Sequence, residues 1–152
     1  MSKKLKTGKY EILVDIDFKP DVHKFCNDLV EKMTFLHRYM GIVFKELKVY
    51  ETAKGYHLYF GADSTEELTP MDIVFIQLAL GSDYKREVFN WRRVRGWLEG
   101  DELSPGWNTL FMVKYRGGRV VSIEQKTFNA KVIEETVMHI YRKRAEKIKC
   151  GR

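Results

Sequence analysis

Residues 10–18 read YEILVDIDF, and their alternation predicts the β-strand on which the rest of the fold is arranged. Apolar side chains fill one face of such a strand, at Ile12, Val14, Ile16 and Phe18. The other face carries Glu11, Leu13, Asp15 and Asp17. Since successive residues of a strand point to opposite faces, we expect the apolar set to face a core and the two aspartates to share the opposite side.

The residues that follow this strand predict a split βαβ arrangement. Pro20 ends the strand, and Asp21 is expected to cap a helix that runs to about Met40 and ends at Gly41. Its apolar stripe is Val22, Phe25, Leu29, Met33, Leu36 and Met40. Strand-like runs at 42–50 and 56–61 come next. Strand, helix and strand pair in this order open a sheet of the RRM or ferredoxin-like kind.

The second half of the chain predicts more helices and a hairpin. Thr69-Pro70-Met71-Asp72 is typical of a helix start, for a helix that stops at Gly81. Ser82 or Asp83 is expected to cap the next helix, which runs to about Trp97 with Tyr84, Val88 and Trp91 toward the core. Strands are expected at 108–115 and 119–127, with Gly117-Gly118 as the turn between them.

Asn129 is expected to cap a last helix, whose stripe is Val132, Ile133, Val137, Ile140 and Ile148. There is no internal repeat, low-complexity tract or Pro/Ser-rich linker in the sequence. We therefore expect a single domain over 1–152, of the α+β class, with a mostly antiparallel sheet packed by amphipathic helices.

The composition narrows the class of protein. The 152 residues include 27 basic and 21 acidic ones, for a net charge of +6, which is a modest excess compatible with nucleic acid or nucleotide phosphates. No apolar run approaches the roughly 20 residues of a membrane span, and the N-terminus lacks the apolar stretch of a signal peptide. Cys26 and Cys150 are too few and too far apart for a disulfide framework or a zinc site. We expect an intracellular, cytoplasmic protein without a membrane partner, and the scarcity of Gln and Asn beside abundant Lys and Glu is typical of thermophiles.

The first candidate for chemistry is the pair Asp15 and Asp17. Two carboxylates about 6–7 Å apart on one pleated face repel each other, and a cation between them removes that repulsion. Carboxylate oxygens are hard ligands that suit Mg²⁺ or Mn²⁺. The alternative is a solvent-facing strand edge with no ligand.

The second candidate is residues 52–57, TAKGYH, which lead from a glycine turn into a strand. Backbone N–H groups at the turn, the Thr52 hydroxyl, the Lys54 ammonium and the His57 imidazole could cradle a triphosphate. The alternative is an ordinary hairpin with a surface lysine and a histidine bonded to a backbone carbonyl.

The third candidate is Asp83 with the arginines of the helix that it begins. Arg86, Asn90 and Arg93 share one side of this helix, and Arg92 lies beside them, so the helix could follow a phosphate backbone. The alternatives are a helix cap at Asp83 and a solvated charged face.

Together and in this order, the three candidates resemble the archaeo-eukaryotic primase superfamily, whose primase–polymerase cores carry a hydrophobic-D-x-D motif, an S-G-x-G-x-H type motif and a later lone aspartate. Val14-Asp15-Ile16-Asp17 matches the first motif, Thr52-Ala53-Lys54-Gly55-Tyr56-His57 matches the second, and Asp83 is our choice for the third. The other residues considered for the third position are Asp63, Asp101 and Glu124.

The resemblance implies a template-directed, divalent-metal-dependent nucleotidyltransferase of the DNA primase or small polymerase type, acting in replication or repair. Asp15, Asp17 and Asp83 would be its catalytic residues and would hold two Mg²⁺ or Mn²⁺ ions. Thr52, Lys54 and His57 would bind the nucleotide, and Arg86, Arg92 and Arg93 the nucleic acid. Its partners would be nucleoside triphosphates, a DNA or RNA template and primer, and a helicase or an accessory primase subunit.

Two other classes remain open at this stage. A catalytically inactive primase-like or RRM-like nucleic-acid-binding module would share the fold. A rolling-circle replication endonuclease uses a similar sheet, but it needs two histidines around one hydrophobic residue, and here the strand reads His57-Leu58-Tyr59.

Overall fold

The computed structural model describes residues 6–110, 113–116, 119–123 and 128–150, and the side chains of 9–110 and 130–150 among them. Its elements, in chain order, are β1 (Lys6–Ile16), α1 (Val22–Met40), β2 (Ile42–Glu51), β3 (Tyr56–Ser64), α2 (Pro70–Ala79), α3 (Tyr84–Leu98), β4 (Val113–Arg116), β5 (Arg119–Ile123), β6 (Phe128–Asn129) and α4 (Lys131–Glu146). Among the described helices, none combines the length and the apolar character that a membrane span requires.

The main sheet has the strand order β1-β3-β2-β6, and β4 pairs with β5 in a second sheet. β3 is antiparallel to both β1 and β2, so β1 and β2 run parallel with β3 between them. Helix α1 connects β1 to β2, which makes the split βαβ unit that the sequence predicted. The α+β class with a mostly antiparallel sheet is confirmed.

The core lies on one face of this sheet. Ile12, Val14 and Ile16 of β1 are buried there, as are Leu58 and Phe60 of β3. Helices α1 and α4 pack against each other and against β2, and they cover this face. The opposite face of the sheet carries Asp15 on β1 and His57 on β3.

Local signals located most helix ends correctly. The Asp21 carboxylate accepts a hydrogen bond from the N–H of Lys24 at 3.4 Å, and Gly41 ends α1 in the left-handed region at φ 73°. Thr69 and Asp72 form the capping box of α2. Asp83, rather than Ser82, caps α3.

Several predictions of which residues face the core are wrong at the ends of elements. β1 stops at Ile16, so Phe18 lies beyond the sheet and is exposed. Val22 at the start of α1 and Val132 at the start of α4 are exposed as well. The expected cap at Asn129 is also wrong, because this residue pairs with Tyr50 of β2 as part of β6.

The start of α4 shows what replaces that cap. Ala130 stands at the cap position without a side-chain hydrogen bond, and its own N–H donates to the carbonyl of Val49 at 2.8 Å. Of the strand expected at 108–115, residues 108–110 are not in a strand and Val113 belongs to β4, while residues 111–112 lie outside the described residues. The turn at Gly117-Gly118 and the stretch 124–127 lie outside the described residues.

The largest difference from the sequence prediction is the orientation of α3. Tyr84, Val88 and Trp91 were expected to face the core, and all three are exposed. The buried residues of α3 are instead Arg86, Glu87, Asn90 and Val94. The helix therefore presents its polar side to the protein.

Candidate functional site

Three segments meet at the C-terminal end of β1, and we call this meeting point the β1 end: Asp15 to Asp17, residues 52–57, and Ser82 with Asp83. The turn at Gly55 touches β1 directly. A Cβ added at Gly55 would overlap the carbonyl oxygen of Ile16 and lie 2.9 Å from the nitrogen of Phe18. A residue without a side chain is therefore required for the turn to approach the strand this closely.

Strand register places the first two sequence candidates side by side. Asp15 is the cross-strand partner of His57, and Ile16 is that of Tyr56. The Nε2 atom of His57 lies 3.6 Å from Oδ1 of Asp15. His57 is only 1% exposed, whereas the Asp15 side chain is 29% exposed. The carboxylate is thus accessible and the imidazole is not, and an ion pair forms between them only when His57 is protonated.

Asp83 reaches the same place through its backbone. Its N–H donates to the carbonyl of Asp15 at 2.7 Å, and the N–H of Asp15 donates to Oγ of Ser82 at 3.1 Å. The Asp83 carboxylate accepts from the N–H of Arg86 at 3.3 Å, as an N-cap. The third sequence candidate is therefore adjacent to the first, although its carboxylate already has one hydrogen bond.

The outer edge of β1 explains why α3 turns its polar side inward. β1 is an edge strand, so the N–H and C=O groups of Leu13 and Asp15 that point away from β3 need partners from outside the sheet. The Leu13 N–H donates to Oε1 of Gln77 at 2.8 Å, and the Leu13 carbonyl accepts from Nη1 of Arg86 at 3.2 Å. Together with the bonds of Ser82 and Asp83, these contacts satisfy all four groups.

Glu87 holds these partners together. Its carboxylate, 1% exposed, accepts from Nε2 of Gln77 at 2.8 Å and from Oγ of Ser82 at 2.7 Å. It also pairs with the guanidinium of Arg86 and accepts from Nδ2 of Asn90 at 3.2 Å. A buried charge is costly unless it is paired and hydrogen-bonded, and here each oxygen has several donors. We call these residues the edge network.

Asn108 completes the edge network from the loop after α3. Its Oδ1 accepts from Nη2 of Arg86 at 2.9 Å and from Nε2 of Gln77 at 2.9 Å, and its Nδ2 donates to Oε1 of Gln77 at 2.7 Å. Asn108, the first residue of the strand expected at 108–115, thus belongs to a loop and bonds to the edge network instead.

The turn at 52–55 buries one of its two nucleotide-binding candidates and exposes the other. Oγ1 of Thr52 accepts from the N–H of Gly55 at 3.0 Å, and Thr52 is buried. Its hydroxyl therefore closes the turn. Lys54 is exposed at the tip of the turn, next to the end of β1. Of the two, Lys54 has the position of a residue that can reach a phosphate.

The three arginines expected to contact nucleic acid lie in different surroundings. Arg86 is 9% exposed and belongs to the edge network, so its expected place in a nucleic-acid groove is corrected to a structural one. Arg93 is exposed, and its Nη1 donates to Oδ1 of Asn90 at 3.1 Å and to the carbonyl of Trp107 at 3.3 Å. Arg92 is exposed on the outer side of α3.

The other acidic residues considered for the third position lie elsewhere. Asp63 is buried, 3.8 Å from Nζ of Lys45, and six residues along β3 from His57, which is about 20 Å. The N–H of Asp101 donates to the carbonyl of Gly96, thirteen helical residues and about 20 Å beyond Asp83. Glu124 lies outside the described residues. Among those described, Asp83 is the one that joins Asp15.

The donors at the β1 end have the right chemistry for Mg²⁺ or Mn²⁺, because they are carboxylates. In the arrangement described, however, the Asp15 carboxylate faces His57 and the Asp83 carboxylate caps α3. Over residues 6–110 and the later described segments, no group of three or more His, Cys, Asp and Glu side chains is arranged to hold a metal ion.

Sequence reasoning missed the edge network and an aromatic pair. A signal for the network existed in Gln77, a single polar residue within the apolar run IVFIQLAL of residues 73–80. The aromatic pair is Tyr50 and Tyr59, whose ring centroids lie 5.6 Å apart at 87°. Tyr50 is the cross-strand partner of His57, so the pair shares the sheet face of His57 and Asp15.

Comparison of the chain with protein-family models, with curated proteins and with solved structures gave no match.

Proposed function

We propose that this chain is a template-directed, divalent-metal-dependent nucleotidyltransferase of the primase or small polymerase type. The observation that carries the proposal is the convergence at the β1 end. Asp15, Asp17 and Asp83 lie on touching backbone, and the turn that carries Lys54 packs against the same strand end. Segments separated by up to 68 positions in the sequence, which together carry three aspartates and a lysine, thus meet at one strand end, and this meeting supports the proposal.

In this proposal the carboxylates of Asp15, Asp17 and Asp83 would hold two divalent ions. When bound, such ions supply charge stabilisation for the attacking and leaving oxygens of a phosphoryl transfer. Lys54 neutralises the β- and γ-phosphates of the incoming nucleotide. His57, whose Nε2 lies 3.6 Å from Oδ1 of Asp15, would orient that carboxylate, and the Thr52 hydroxyl, which accepts from the N–H of Gly55, would keep the turn closed beside the nucleotide.

The partners that follow are nucleoside triphosphates and a DNA or RNA template with its primer. A helicase or an accessory primase subunit would complete an intracellular replication or repair assembly. The net charge of +6 supports a polyanionic partner.

The decisive experiment measures incorporation of a labelled nucleotide on primed and unprimed single-stranded templates, with Mg²⁺ or Mn²⁺ and with chelator. Native protein should incorporate label only with metal. Asp15→Asn/Asp17→Asn should abolish incorporation. The matched control is Glu135→Gln/Glu146→Gln, which removes two exposed carboxylates from α4, the helix that packs on the other face of the sheet, and should leave the rate unchanged.

Absence of incorporation by folded native protein in every metal and template condition would reject the proposal. Equal rates for native protein and the Asp15→Asn/Asp17→Asn variant would also reject it, since the activity would then not reside at the β1 end. Calorimetry with Mn²⁺ and nucleotide on the same variants tests the metal site directly. Equal binding by native protein and by Asp15→Asn/Asp17→Asn would show that these carboxylates hold no metal.

Lys54→Ala tests the nucleotide subsite separately. A charge-assisted phosphate contact is worth about 1.5–3 kcal/mol, so KM for the nucleotide should rise about 10- to 150-fold while template binding stays unchanged. Lys48→Ala, an exposed lysine on β2, is the matched control. An unchanged KM in Lys54→Ala would leave the turn without a role in nucleotide binding.

A second candidate function is a non-catalytic nucleic-acid-binding module. The Tyr50–Tyr59 pair supports it, because aromatic side chains on the open face of an RRM-like sheet stack nucleic-acid bases. The two candidates differ in one result: such a module binds single strands and incorporates no nucleotide.

A further inference from the structure

Helix α3 presents an unusual surface to solvent, which we call the outer face of α3: Tyr84, Lys85, Val88, Phe89, Trp91, Arg92 and Arg95. Tyr84 is 64% exposed, Phe89 56% and Trp91 42%. Single exposed apolar residues are common, but several together on one helix face mark a site of interaction. The edge network explains the exposure, because it commits the opposite side of α3 to Gln77 of α2, to Asn108 and, through Arg86, to the carbonyl of Leu13 on β1.

The outer face of α3 is purely cationic in its charge. Lys85, Arg92 and Arg95 lie on it, and the single acidic residue of α3, Glu87, is buried on the other side. Glu99, one residue beyond the helix, pairs with Arg95 at 3.3 Å. The face therefore complements a negatively charged partner.

The cations and aromatic rings are interleaved. The guanidinium of Arg95 lies 5.2 Å from the ring centroid of Trp91, and Nζ of Lys85 lies 6.0 Å from that of Tyr84. A partner with anions and flat π-faces in alternation matches this pattern, and single-stranded nucleic acid has both in every nucleotide. An acidic protein segment would satisfy the cations and leave the rings without flat surfaces to stack on.

We propose that the outer face of α3 binds single-stranded nucleic acid, with bases on Tyr84, Phe89 and Trp91 and phosphates at Lys85, Arg92 and Arg95. From Tyr84 to Arg95 the helix rises about 16 Å, which accommodates a few nucleotides. Tyr84 follows Asp83 directly, so a strand on this face leads to the β1 end. The identification of this face as the surface that holds the template rests on the proposed function. The binding of single-stranded nucleic acid to it can be measured without nucleotide or metal.

The test measures fluorescence anisotropy of a labelled oligothymidylate, with chelator present. Phe89→Ala and Trp91→Ala should each weaken binding by about 5- to 150-fold, the range for one stacked base. Arg92→Ala should lower the slope of log affinity against log salt by about 0.7. The matched control is Phe35→Ala/Arg38→Ala, which removes an exposed aromatic and an exposed cation from α1. This variant should bind like native protein.

The outcomes separate this inference from the proposed function. Unchanged affinity in Phe89→Ala and Trp91→Ala, with thermal unfolding as in native protein, overturns the inference even if nucleotide incorporation is observed. Weakened affinity in these variants supports it even if native protein incorporates nothing. If instead the variants change only the sedimentation behaviour of the protein, the face joins two copies of the chain, and the inference is overturned.

Discussion

Helices α1 and α3 begin in the same way and bury opposite sides. Each starts with an aspartate whose carboxylate accepts the N–H three residues on, Asp21 from Lys24 at 3.4 Å and Asp83 from Arg86 at 3.3 Å. The buried side of α1 is mainly apolar, with Phe25, Leu29, Val30 and Met33, whereas that of α3 contains Arg86, Glu87 and Asn90.

The difference follows from what each helix covers. α1 lies on a sheet face, which offers apolar side chains such as those of Val14 and Leu58. α3 packs against α2, and its first turn reaches the edge of β1, where Arg86 and the N-cap Asp83 donate to the carbonyls of Leu13 and Asp15. A polar strand edge is best covered by side chains that donate and accept hydrogen bonds, and the apolar side of α3 is consequently left for solvent or a partner.

The largest expected effect comes from Glu87→Ala, which tests whether the edge network sets the orientation of α3. The substitution leaves the Arg86 guanidinium buried without its counter-ion and removes an acceptor from Gln77, Ser82 and Asn90. We expect a loss of about 3–5 kcal/mol in the free energy of unfolding, measured by urea denaturation.

Glu99→Ala is the control for this variant, because it breaks the exposed pair of Arg95 and Glu99. It should cost less than about 1 kcal/mol. A similar small loss in Glu87→Ala would mean that the edge network contributes little and that the orientation of α3 has another cause.

The second test compares apolar truncations on the two helices. Leu29→Ala on α1 removes a buried side chain and should cost about 2–5 kcal/mol. Val88→Ala on α3 removes an exposed side chain and should change the free energy of unfolding by no more than about 0.5 kcal/mol. Equal losses at the two positions in urea denaturation would show that α3 buries its apolar side in solution.

The comparison also shows why the sequence predicted the buried side of α1 correctly and that of α3 wrongly. Periodicity groups residues onto a helix face, and it did so correctly for α3, where Arg86 and Asn90 do share a side. Choosing which side is buried relied on hydrophobicity. Hydrophobicity identifies the buried side of a helix on a sheet face, but it fails for α3, whose buried side belongs to the edge network. Which strand forms the edge of the sheet depends on strand order, and local sequence patterns do not contain this tertiary property.

The candidate site could be predicted only in part, because local patterns do not specify which segments meet in the folded chain. Alternation predicted that Asp15 and Asp17 share one face of β1, but β1 ends at Ile16, so only Asp15 lies on the strand, where the register joins it to His57. The contact of Asp83 with β1 depends on the path from α2 to α3, which no local signal specifies. Arg86 was assigned to nucleic acid because it shares a basic stripe with Arg93 on the side of α3 that was expected to face solvent. In the structure Arg86 is buried, and Glu87 and Asn108 bond to its guanidinium.

A third test concerns a buried polar group within the apolar core, the hydroxyl of Tyr141. The hydroxyl of Tyr141 on α4 accepts from the N–H of Phe44 at 3.0 Å and lies 3.1 Å from Nδ1 of His37. Tyr141→Phe leaves that buried N–H without its partner and should cost about 1–3 kcal/mol by urea denaturation at pH 7. This is less than the loss in Glu87→Ala, because the substitution leaves a backbone N–H without its partner and does not leave a charged guanidinium buried without its counter-ion.

The same residue gives a pH dependence. Burial raises the pKa of Tyr141 to about 12, while the hydrogen bond from Phe44 acts in the opposite direction. In the unfolded chain its pKa is about 10, so the folded state favours the neutral phenol. The stabilisation is complete below pH 10 and is lost as the pH rises toward 12. Native protein should lose more stability than Tyr141→Phe over this interval, and parallel curves would contradict the raised pKa.

The smallest effect on stability, and the most informative for function, comes from the two helix caps. Asparagine caps a helix about as well as aspartate, so Asp21→Asn and Asp83→Asn should each change the free energy of unfolding by no more than about 0.5 kcal/mol. Their effects on nucleotide incorporation should differ. Asp83 adjoins Asp15 through a backbone hydrogen bond of 2.7 Å, and replacing its carboxylate by an amide removes the charge of the proposed metal ligand. Incorporation should therefore be abolished in Asp83→Asn and unchanged in Asp21→Asn. If Asp83→Asn is fully active, Asp83 serves α3 just as Asp21 serves α1, and the two helices differ only in the side that they bury.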